Sequence, residues 1–173
     1  MKDCAYGIKC FSPFRYEGRI RQSLLRFKFH GCTGNAAFYA AEIWKLLKAE
    51  GQKPDIISWV PLSRKRLRQR GYDQAGLIAR ELSALTGIPC RRVLNKISHN
   101  PPQSGTAGHE QREKNVKGVY ALSRKSAALS DKKILLIDDI ITTGSTLSEC
   151  CRVMLQGGFE HICCATAAST LNL

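Results

Sequence analysis

The chain has 173 residues, 43% of them apolar and 24% charged, which is ordinary for one globular domain and excludes disordered, collagen-like and coiled-coil chains. Its 27 lysines and arginines exceed its 14 aspartates and glutamates by 13, an excess that favours an anionic partner such as nucleic acid, acidic lipid headgroups or a polyphosphate ligand. The apolar runs are far shorter than the about 20 residues of a membrane span, and no hydrophobic signal segment follows Met1, so we expect a cytoplasmic protein without a membrane span.

The first half of the chain has the pattern of a helix, a strand and a second helix. Apolar side chains at helical spacing predict a helix over residues 35–50. Ile56 to Val60 predicts a short buried strand, and the basic residues after it are expected to form a loop. Asp73 is expected to cap a helix that closes at Gly87.

The second half of the chain repeats this alternation. We predict extended structure at Val93 to Ile97 and Val116 to Leu122, separated by a long mobile loop over 98–115. Two further buried strands are predicted at Ile134–Ile137 and Ile162–Ala168, with a helix between them. Strands with unbroken apolar runs that alternate with helices predict an α/β fold with a mainly parallel sheet.

Eight cysteines are present, and because no export signal is seen we interpret them as thiols. The pairs Cys150-Cys151 and Cys163-Cys164 lie in a helical and a strand pattern, where cysteine usually serves as a small core residue. Cys4 and Cys10 are half a zinc site at best, since a structural zinc site needs four ligands.

The strand at Ile134 leads into a segment that combines carboxylates with small hydroxyl residues. Asp138 and Asp139 follow the strand, at the edge where ligands bind in open α/β sheets. A loop of hydroxyl residues and glycine then runs into the next helix: Thr142, Thr143, Gly144, Ser145 and Thr146. Backbone N–H groups and the positive end of a helix make such a loop a cradle for a phosphate dianion. Since carboxylates repel phosphate, the two aspartates are expected to contact sugar hydroxyls or Mg²⁺, and a sugar phosphate satisfies both halves.

The residues from Ile134 to Thr146 resemble the phosphoribosyl-pyrophosphate (PRPP) motif of type I phosphoribosyltransferases. In that family the acidic pair binds the ribose 2′- and 3′-hydroxyls and the loop binds the 5′-phosphate. The resemblance therefore assigns Asp138 and Asp139 to the ribose and residues 142–146 to the phosphate. The plain alternative is an ordinary strand-to-helix turn whose aspartates cap the helix.

A basic segment follows the strand at Ile56, and five of its seven residues from Arg64 to Arg70 are cationic. In a PRPP site the leaving pyrophosphate needs N–H donors and positive charge, because negative charge builds on it as the C1–O bond breaks. We expect Ser63 and Arg64 in the turn, with Arg66 and Arg70 reaching across. A nucleic-acid patch and a plain solvated surface stay open as alternatives.

The polar stretch over 98–115 contains Gln103, Arg112 and Asn115. A mobile polar loop between strands suits a lid that keeps water from a reactive sugar cation. A disordered surface loop is the alternative interpretation. His99 and His109 lie in the same stretch, where a histidine is more often solvated than bound to a ligand.

Together these segments resemble the ComF family, phosphoribosyltransferase-like proteins linked to competence and DNA uptake, from about Tyr16 to Leu171. The most specific features are Arg70-Gly71-Tyr72 and the spacing of Gln103, Arg112 and Asn115. Family members commonly begin with a four-cysteine zinc finger, which is absent or degenerate here. We expect residues 1–15 to be a remnant N-terminal segment and residues 16–173 to form the phosphoribosyltransferase-like domain.

The resemblance implies a type I phosphoribosyltransferase fold: a mainly parallel central sheet flanked by helices, with a small N-terminal hood. It implies transfer of ribose 5-phosphate from PRPP to an unknown nucleobase or amine, with Asp138, Asp139 and Arg64 in the catalytic site. Mg²⁺ is expected to bind through PRPP, with contact to Asp138 or Asp139 only by way of water. The alternative is a non-catalytic component of DNA uptake that binds PRPP and single-stranded DNA. A competence ATPase or helicase and a second copy of the chain are the other partners considered.

Overall fold

The computed structural model describes residues 2–3, 5–97 and 116–171, over which strands and helices alternate. The strands are β1 Lys2–Asp3, β2 Lys9–Phe11, β3 Phe14–Arg15, β4 Ile56–Trp59, β5 Leu94–Lys96, β6 Tyr120–Leu122, β7 Ile134–Ile141 and β8 Ile162–Ser169. The helices are α1 Gly18–Phe29, α2 Asn35–Ala49, α3 Arg64–Arg70, α4 Gln74–Thr86 and α5 Ser145–Gln156, with short 3₁₀ turns at Ala5–Gly7 and Ala127–Leu129.

The main sheet has the strand order β1-β2-β8-β7-β4, and β3 also pairs with β8. Every pairing in it is parallel except that of β1 with β2. β5 and β6 form a separate antiparallel pair. This mixed architecture with a mainly parallel central sheet confirms the fold class predicted from the sequence.

The unbroken apolar run of β7 follows from burial of both faces of the sheet. Leu135 and Ile137 pack on one face with side chains of α1, α2 and α4, among them Phe27, Ile43 and Ile78. Ile134 and Leu136 pack on the other face with α5 and the β5–β6 pair. Each fully buried aliphatic side chain contributes about 1.5–3 kcal/mol relative to exposure, so β7 anchors both halves of the core.

The helices predicted at 35–50 and after Asp73 are confirmed, and so is the core role of three of the four paired cysteines, while Cys163 is partly buried. Cys150, Cys151 and Cys164 are fully buried, and the Sγ atoms of Cys151 and Cys164 lie 3.6 Å apart. Burial raises the pKa of Cys163 to about 12. Within the described ranges, no helix is both long and apolar enough to cross a membrane.

Three expectations about the elements were wrong. The basic segment is the helix α3 and not a loop, because Ser63 caps its start and Gly71 closes its end in the left-handed region at φ 78°. β7 runs past the apolar run to Ile141, since ladder pairing with β8 continues through the two aspartates. Val116 to Gly118 form a turn, so only Tyr120–Leu122 of that stretch is a strand.

The N-terminal residues contribute to the same sheet as the rest of the chain. Cys10 of β2 lies opposite Cys164, and Phe14 of β3 lies opposite Ala168, both on β8. The domain boundary at residue 16 stays a prediction, and the three strands that precede it, β1, β2 and β3, all belong to the main sheet.

Candidate functional site

A cavity of about 300 Å³ opens at the carboxyl ends of β4 and β7, the edge at which open α/β sheets bind ligands. It is lined by the two adjacent aspartates of β7, by the segment after β4, and by side chains from α1, α3, α4, β5 and β6. Its polar lining residues are Tyr16, Lys28, Arg66, Arg70, Asp73, Gln74, Lys96, Tyr120, Asp138, Asp139, Thr142 and Thr146.

The acidic pair is held in place by the backbone of its own strand. Asp138 Oδ1 accepts a hydrogen bond from Asp139 N at 2.8 Å, and Asp139 Oδ1 accepts one from Ile140 N at 2.8 Å. Burial, and then repulsion from Asp139, raise the pKa of Asp138 well above its ordinary value. The second oxygen of Asp139 pairs with Lys28 Nζ at 3.3 Å.

The hydroxyl loop makes a tight entry into α5. Gly144, immediately before the helix, adopts φ 81°, which favours glycine, and Ser145 N donates to Thr143 Oγ1 at 3.4 Å. Thr142 and Thr146 line the cavity, whereas Thr143 Oγ1 and Ser145 Oγ pair with each other at 2.8 Å. The first residues of α5 and the aspartates therefore lie at one cavity, as a sugar phosphate requires.

Helical geometry divides the basic residues of α3 into two sets. Arg66 and Arg70 are four residues apart and share the face that lines the cavity. Arg64 and Ser63 instead line a neighbouring groove with Lys65, Arg92 and Asn95. Ser63 Oγ accepts from Arg66 N at 3.3 Å as the helix cap. The structure thus brings Arg66 and Arg70, but not Arg64, to the cavity of the acidic pair.

The start of α4 closes the cavity behind the basic helix. Asp73 accepts hydrogen bonds from Leu62 N at 3.0 Å and Gly76 N at 3.2 Å, which ties the segment after β4 to α4. Burial raises its pKa despite those bonds. Arg70 donates to Gln74 Oε1 at 3.3 Å. Because a guanidinium can only donate, this bond fixes the orientation of the Gln74 amide, with its oxygen towards Arg70.

Two lining cations were missed by sequence reasoning. Nothing in the sequence shows that the end of α1, which carries Lys28, contacts β7. Lys96, at the end of β5, donates to Tyr120 Oη at 3.2 Å, and burial lowers the pKa of its ammonium. The sequence signal that could have indicated Lys96 as a site residue is its place at the end of a predicted strand.

Other predicted residues lie outside the described part of the chain. Gln103, Arg112 and Asn115 of the expected lid, the two histidines of that stretch, and Cys4 all belong to this group. Their proposed roles stay predictions.

The cavity has the oxygen donors that suit a magnesium–phosphate complex but no dedicated protein cage. Among the residues that the structure describes, no group of three or more His, Cys, Asp or Glu side chains could hold a metal ion. Mg²⁺ keeps several waters and binds readily through substrate phosphates with one or two carboxylates. Asp138 and Asp139 therefore fit a Mg²⁺ that enters with its substrate.

The chain belongs to the phosphoribosyl transferase domain family, whose pattern it matches over residues 67–171. In fold it is similar to the glutamine PRPP amidotransferase from B. subtilis, complexed with ADP and GMP, with a TM-score of 0.50 and 18% identity. That similarity covers 78% of this chain and 26% of the amidotransferase chain, and it concerns the fold alone.

Within this class the chain is of the ComF type, as the sequence resemblance indicated. It is 34% identical to competence protein F of Haemophilus influenzae over 110 residues, 63% of this chain and 48% of that protein. It is 28% identical to competence protein ComFC of Bacillus subtilis over 153 residues, 85% of this chain and 58% of that protein. The chain thus spans about half the length of the curated relatives it matches.

Proposed function

We propose that the protein binds PRPP and transfers its ribose 5-phosphate group to an acceptor with release of pyrophosphate. The observation that carries the proposal is the convergence of three sets of side chains on one cavity: the acidic pair Asp138 and Asp139, the hydroxyls of Thr142 and Thr146, and the cations Arg66 and Arg70. These sets match the diol, the 5′-phosphate and the diphosphate of PRPP. An ordinary strand-to-helix turn would explain the first two sets only.

In the proposed reaction the C1–O bond of PRPP breaks and pyrophosphate leaves with the bonding electron pair. An acceptor nitrogen forms the new bond to C1 and releases a proton. Asp138 and Asp139 hold the ribose hydroxyls, and Arg66 and Arg70 stabilise the charge that builds on the leaving group. The proposal also includes Arg64 as a catalytic residue, which would have to reach the diphosphate from the neighbouring groove that it lines with Ser63.

Mg²⁺ is the proposed cofactor, and its chemistry is to neutralise charge on the pyrophosphate as it leaves. On the protein side, Asp138 and Asp139 would contact its waters while they orient the ribose. Thr142 to Thr146 would meanwhile hold the 5′-phosphate at the start of α5.

Pyrophosphate release from PRPP with Mg²⁺ tests the proposal. We expect Asp138→Asn and Asp139→Asn each to lower the rate by about tenfold or more, because each replaces a carboxyl oxygen with an amide nitrogen, which cannot accept a hydrogen bond from a ribose hydroxyl. Asp131→Asn is the matched control, since Asp131 is exposed and pairs with its neighbour Lys132. Release that persists unchanged in the double variant would remove the proposed ribose grip.

The acceptor is proposed to be a nucleobase or an amine. A screen of such compounds for a PRPP-dependent product identifies it. If the protein binds PRPP but forms no product with any of these compounds, the result supports the alternative of a non-catalytic PRPP-binding protein.

A second candidate function is binding of single-stranded DNA in DNA uptake. It is supported by the names of the two competence-protein relatives and by the outer face of α3, where Arg64, Lys65 and Arg68 are exposed. If these residues contact phosphates, affinity for single strands falls steeply with salt. Replacing all three with glutamine should flatten that dependence, whereas a flat response in the native chain counts against DNA binding. This proposal includes two further partners, a competence ATPase or helicase and a second copy of the chain. It places the protein in the cytoplasm.

A further inference from the structure

The last turn of α1 brings another cation to the cavity. Lys28 lies one residue before the end of the helix, and its Nζ is 3.3 Å from Asp139 Oδ2. Its side chain is 28% exposed, so it stands at the border between cavity and solvent. Lys28, Arg66 and Arg70 all line this cavity, and the same three side chains line the groove beside it. They therefore form a shared wall of positive charge.

This last turn is fixed by the segment Arg70-Gly71-Tyr72, which joins α3 to α4. Tyr72 Oη donates a hydrogen bond to the carbonyl of Phe27, and the two rings stack with centroids 6.2 Å apart. The Arg70 guanidinium lies 5.3 Å from the ring centre of Phe29. The residues on both sides of Lys28 are thus held by the two side chains that flank Gly71.

We propose that Lys28 is a substrate-binding residue that contacts the diphosphate group, and that Tyr72 is the positioning residue that places it there. The inference rests on the proposed PRPP site and deepens it, because it adds a phosphate contact from α1 to those made by α3 and α5. It also gives the Arg70-Gly71-Tyr72 segment a physical role, which is to dock α1 onto the cavity wall.

The charge balance of the site supports this assignment. In the described structure Lys28 pairs with Asp139, one of the two carboxylates meant for the ribose hydroxyls. A diphosphate offers several anionic oxygens, so the ammonium can exchange its charge-assisted bond to Asp139 for an equivalent bond to the substrate. When the ribose takes Asp139 as its acceptor, the ammonium is released to the diphosphate beside Arg66 and Arg70.

The test is isothermal calorimetry of the full chain with three probes: PRPP with Mg²⁺, inorganic pyrophosphate with Mg²⁺, and ribose 5-phosphate. We expect Lys28→Met to weaken binding of PRPP and of pyrophosphate by about tenfold or more, and to leave ribose 5-phosphate within about twofold. Lys28→Arg should retain most of the affinity for the first two probes. Lys48→Met, which removes an exposed lysine from α2, controls for the loss of one positive charge.

The outcomes separate this inference from the proposed function. Equal weakening of all three probes would mean that Lys28 acts only through Asp139, and an unchanged PRPP affinity would mean that it does not bind substrate; either result overturns the inference. A native chain that binds pyrophosphate but neither ribose compound would refute the PRPP site. It would still show that Lys28, Arg66 and Arg70 form an anion-binding wall. A native chain that binds none of the probes refutes both.

The role of Tyr72 is tested by Tyr72→Phe, which removes the hydroxyl donor and keeps the stacked ring. We expect this variant to weaken pyrophosphate binding by several-fold in the native background. It should have no further effect when Lys28 is already replaced by methionine, because its contribution runs through that lysine. Additive effects in the double variant would mean that Tyr72 acts on general stability, and would overturn its assignment as a positioning residue.

Discussion

The acidic pair places two neighbouring, partly buried carboxylates in the wall of the cavity. Burial and the charge of Asp139 raise the pKa of Asp138, so its ionised form is disfavoured in the folded protein. Asp139 is compensated by the ammonium of Lys28, whereas Asp138 Oδ1 accepts a hydrogen bond from the uncharged backbone N–H of Asp139. The geometry that suits a ribose therefore lowers the stability of the fold.

We expect Asp138→Asn to raise the free energy of unfolding at neutral pH. Between the unfolded pKa and the raised folded pKa, the native state binds more protons than the unfolded state, so native stability falls as the pH rises through that window. Asparagine keeps an oxygen that accepts the hydrogen bond from Asp139 N. Because it carries no charge, it removes the loss of stability that ionisation of Asp138 causes.

Urea unfolding at several pH values measures the effect. The gain should be widest above the folded pKa and should shrink as the pH falls towards the ordinary aspartate value of 3.8. Asp131→Asn, on the exposed surface, serves as the control. An Asp138→Asn variant that is less stable than the native chain at neutral pH would contradict the argument.

Gly144 is the second residue at which the site constrains the chain. Its φ of 81° is unfavourable for other residues, while an added Cβ would meet nothing closer than Ile141 Cδ1 at 3.8 Å. We expect Gly144→Ala to cost about 1–2 kcal/mol through the backbone alone and to weaken binding of ribose 5-phosphate. Thermal unfolding and calorimetry measure the two effects. Gly34→Ala, at a position with φ −58° and open space around it, should change neither.

At the scale of elements, α5 follows the hydroxyl loop and also holds the β5–β6 pair through one buried carboxylate. We call this contact, between Glu149 and the turn before β6, the clamp. Glu149 of α5 is 8% exposed and accepts a hydrogen bond from Gly118 N at 2.7 Å. Arg152 binds the same carboxylate at 2.7 and 2.8 Å and is the main cause that lowers the pKa of Glu149. The clamp therefore connects the helix to the turn that leads into Tyr120.

We expect Glu149→Ala to destabilise the protein by about 1–3 kcal/mol and to speed hydrogen exchange of the Gly118 amide, which loses its acceptor. Because the pKa of Glu149 is lowered in the fold, this contribution is present at neutral pH and is lost as the pH falls below about 4.5 and through the folded value. Exchange measured by NMR checks the result. The exposed Glu160→Ala is the control, and a similar loss there would argue against the clamp.

The sequence predicted those elements whose buried residues form a continuous apolar run or an apolar stripe at helical spacing. The strand at Ile134 and the helices α2 and α4 carry apolar runs or helical spacing, and all three were found. α3 was missed because it has no buried residue, so no apolar stripe distinguishes it from a loop. Its cap Ser63 and its left-handed Gly71 were the local signals that could have shown it.

The candidate site was predictable to the extent that its residues are adjacent in the chain. Asp138, Asp139 and the hydroxyl loop come from one segment, so their pattern could be seen directly. Lys28 and Lys96 reach the cavity from α1 and β5, and their position depends on packing between distant elements. A loop over this segment would allow Arg64 to reach the cavity, whereas the helix α3 turns it away from Arg66.

At the scale of the whole molecule, the cysteines that the structure describes differ in exposure: four are buried, Cys90 and Cys163 are half-buried, and Cys32 is exposed. Cys150 and Cys151 are fully buried, and burial raises the pKa of Cys150, whereas Cys32 is exposed. We expect Cys32 to react rapidly with a thiol reagent in the native protein, and Cys150 and Cys151 to react only after unfolding.

Peptide mapping by mass spectrometry after brief labelling checks this expectation. Cys32→Ser should remove one rapidly labelled site and leave the labelling of Cys150 and Cys151 unchanged. Labelling of either helix cysteine at the rate of Cys32 would mean that α5 does not pack against the sheet as described.

The place of β8 in the sheet has a consequence for biosynthesis. β8 is the last of the described strands in chain order, yet it lies between β7 and the early strands β2 and β3. A nascent chain therefore cannot join its first strands to the sheet until residues 162–169 have left the ribosome. Until then the edges of β7 and of the early strands that pair with β8 have no partner strand, and unpaired strand edges of this kind favour aggregation of a growing chain.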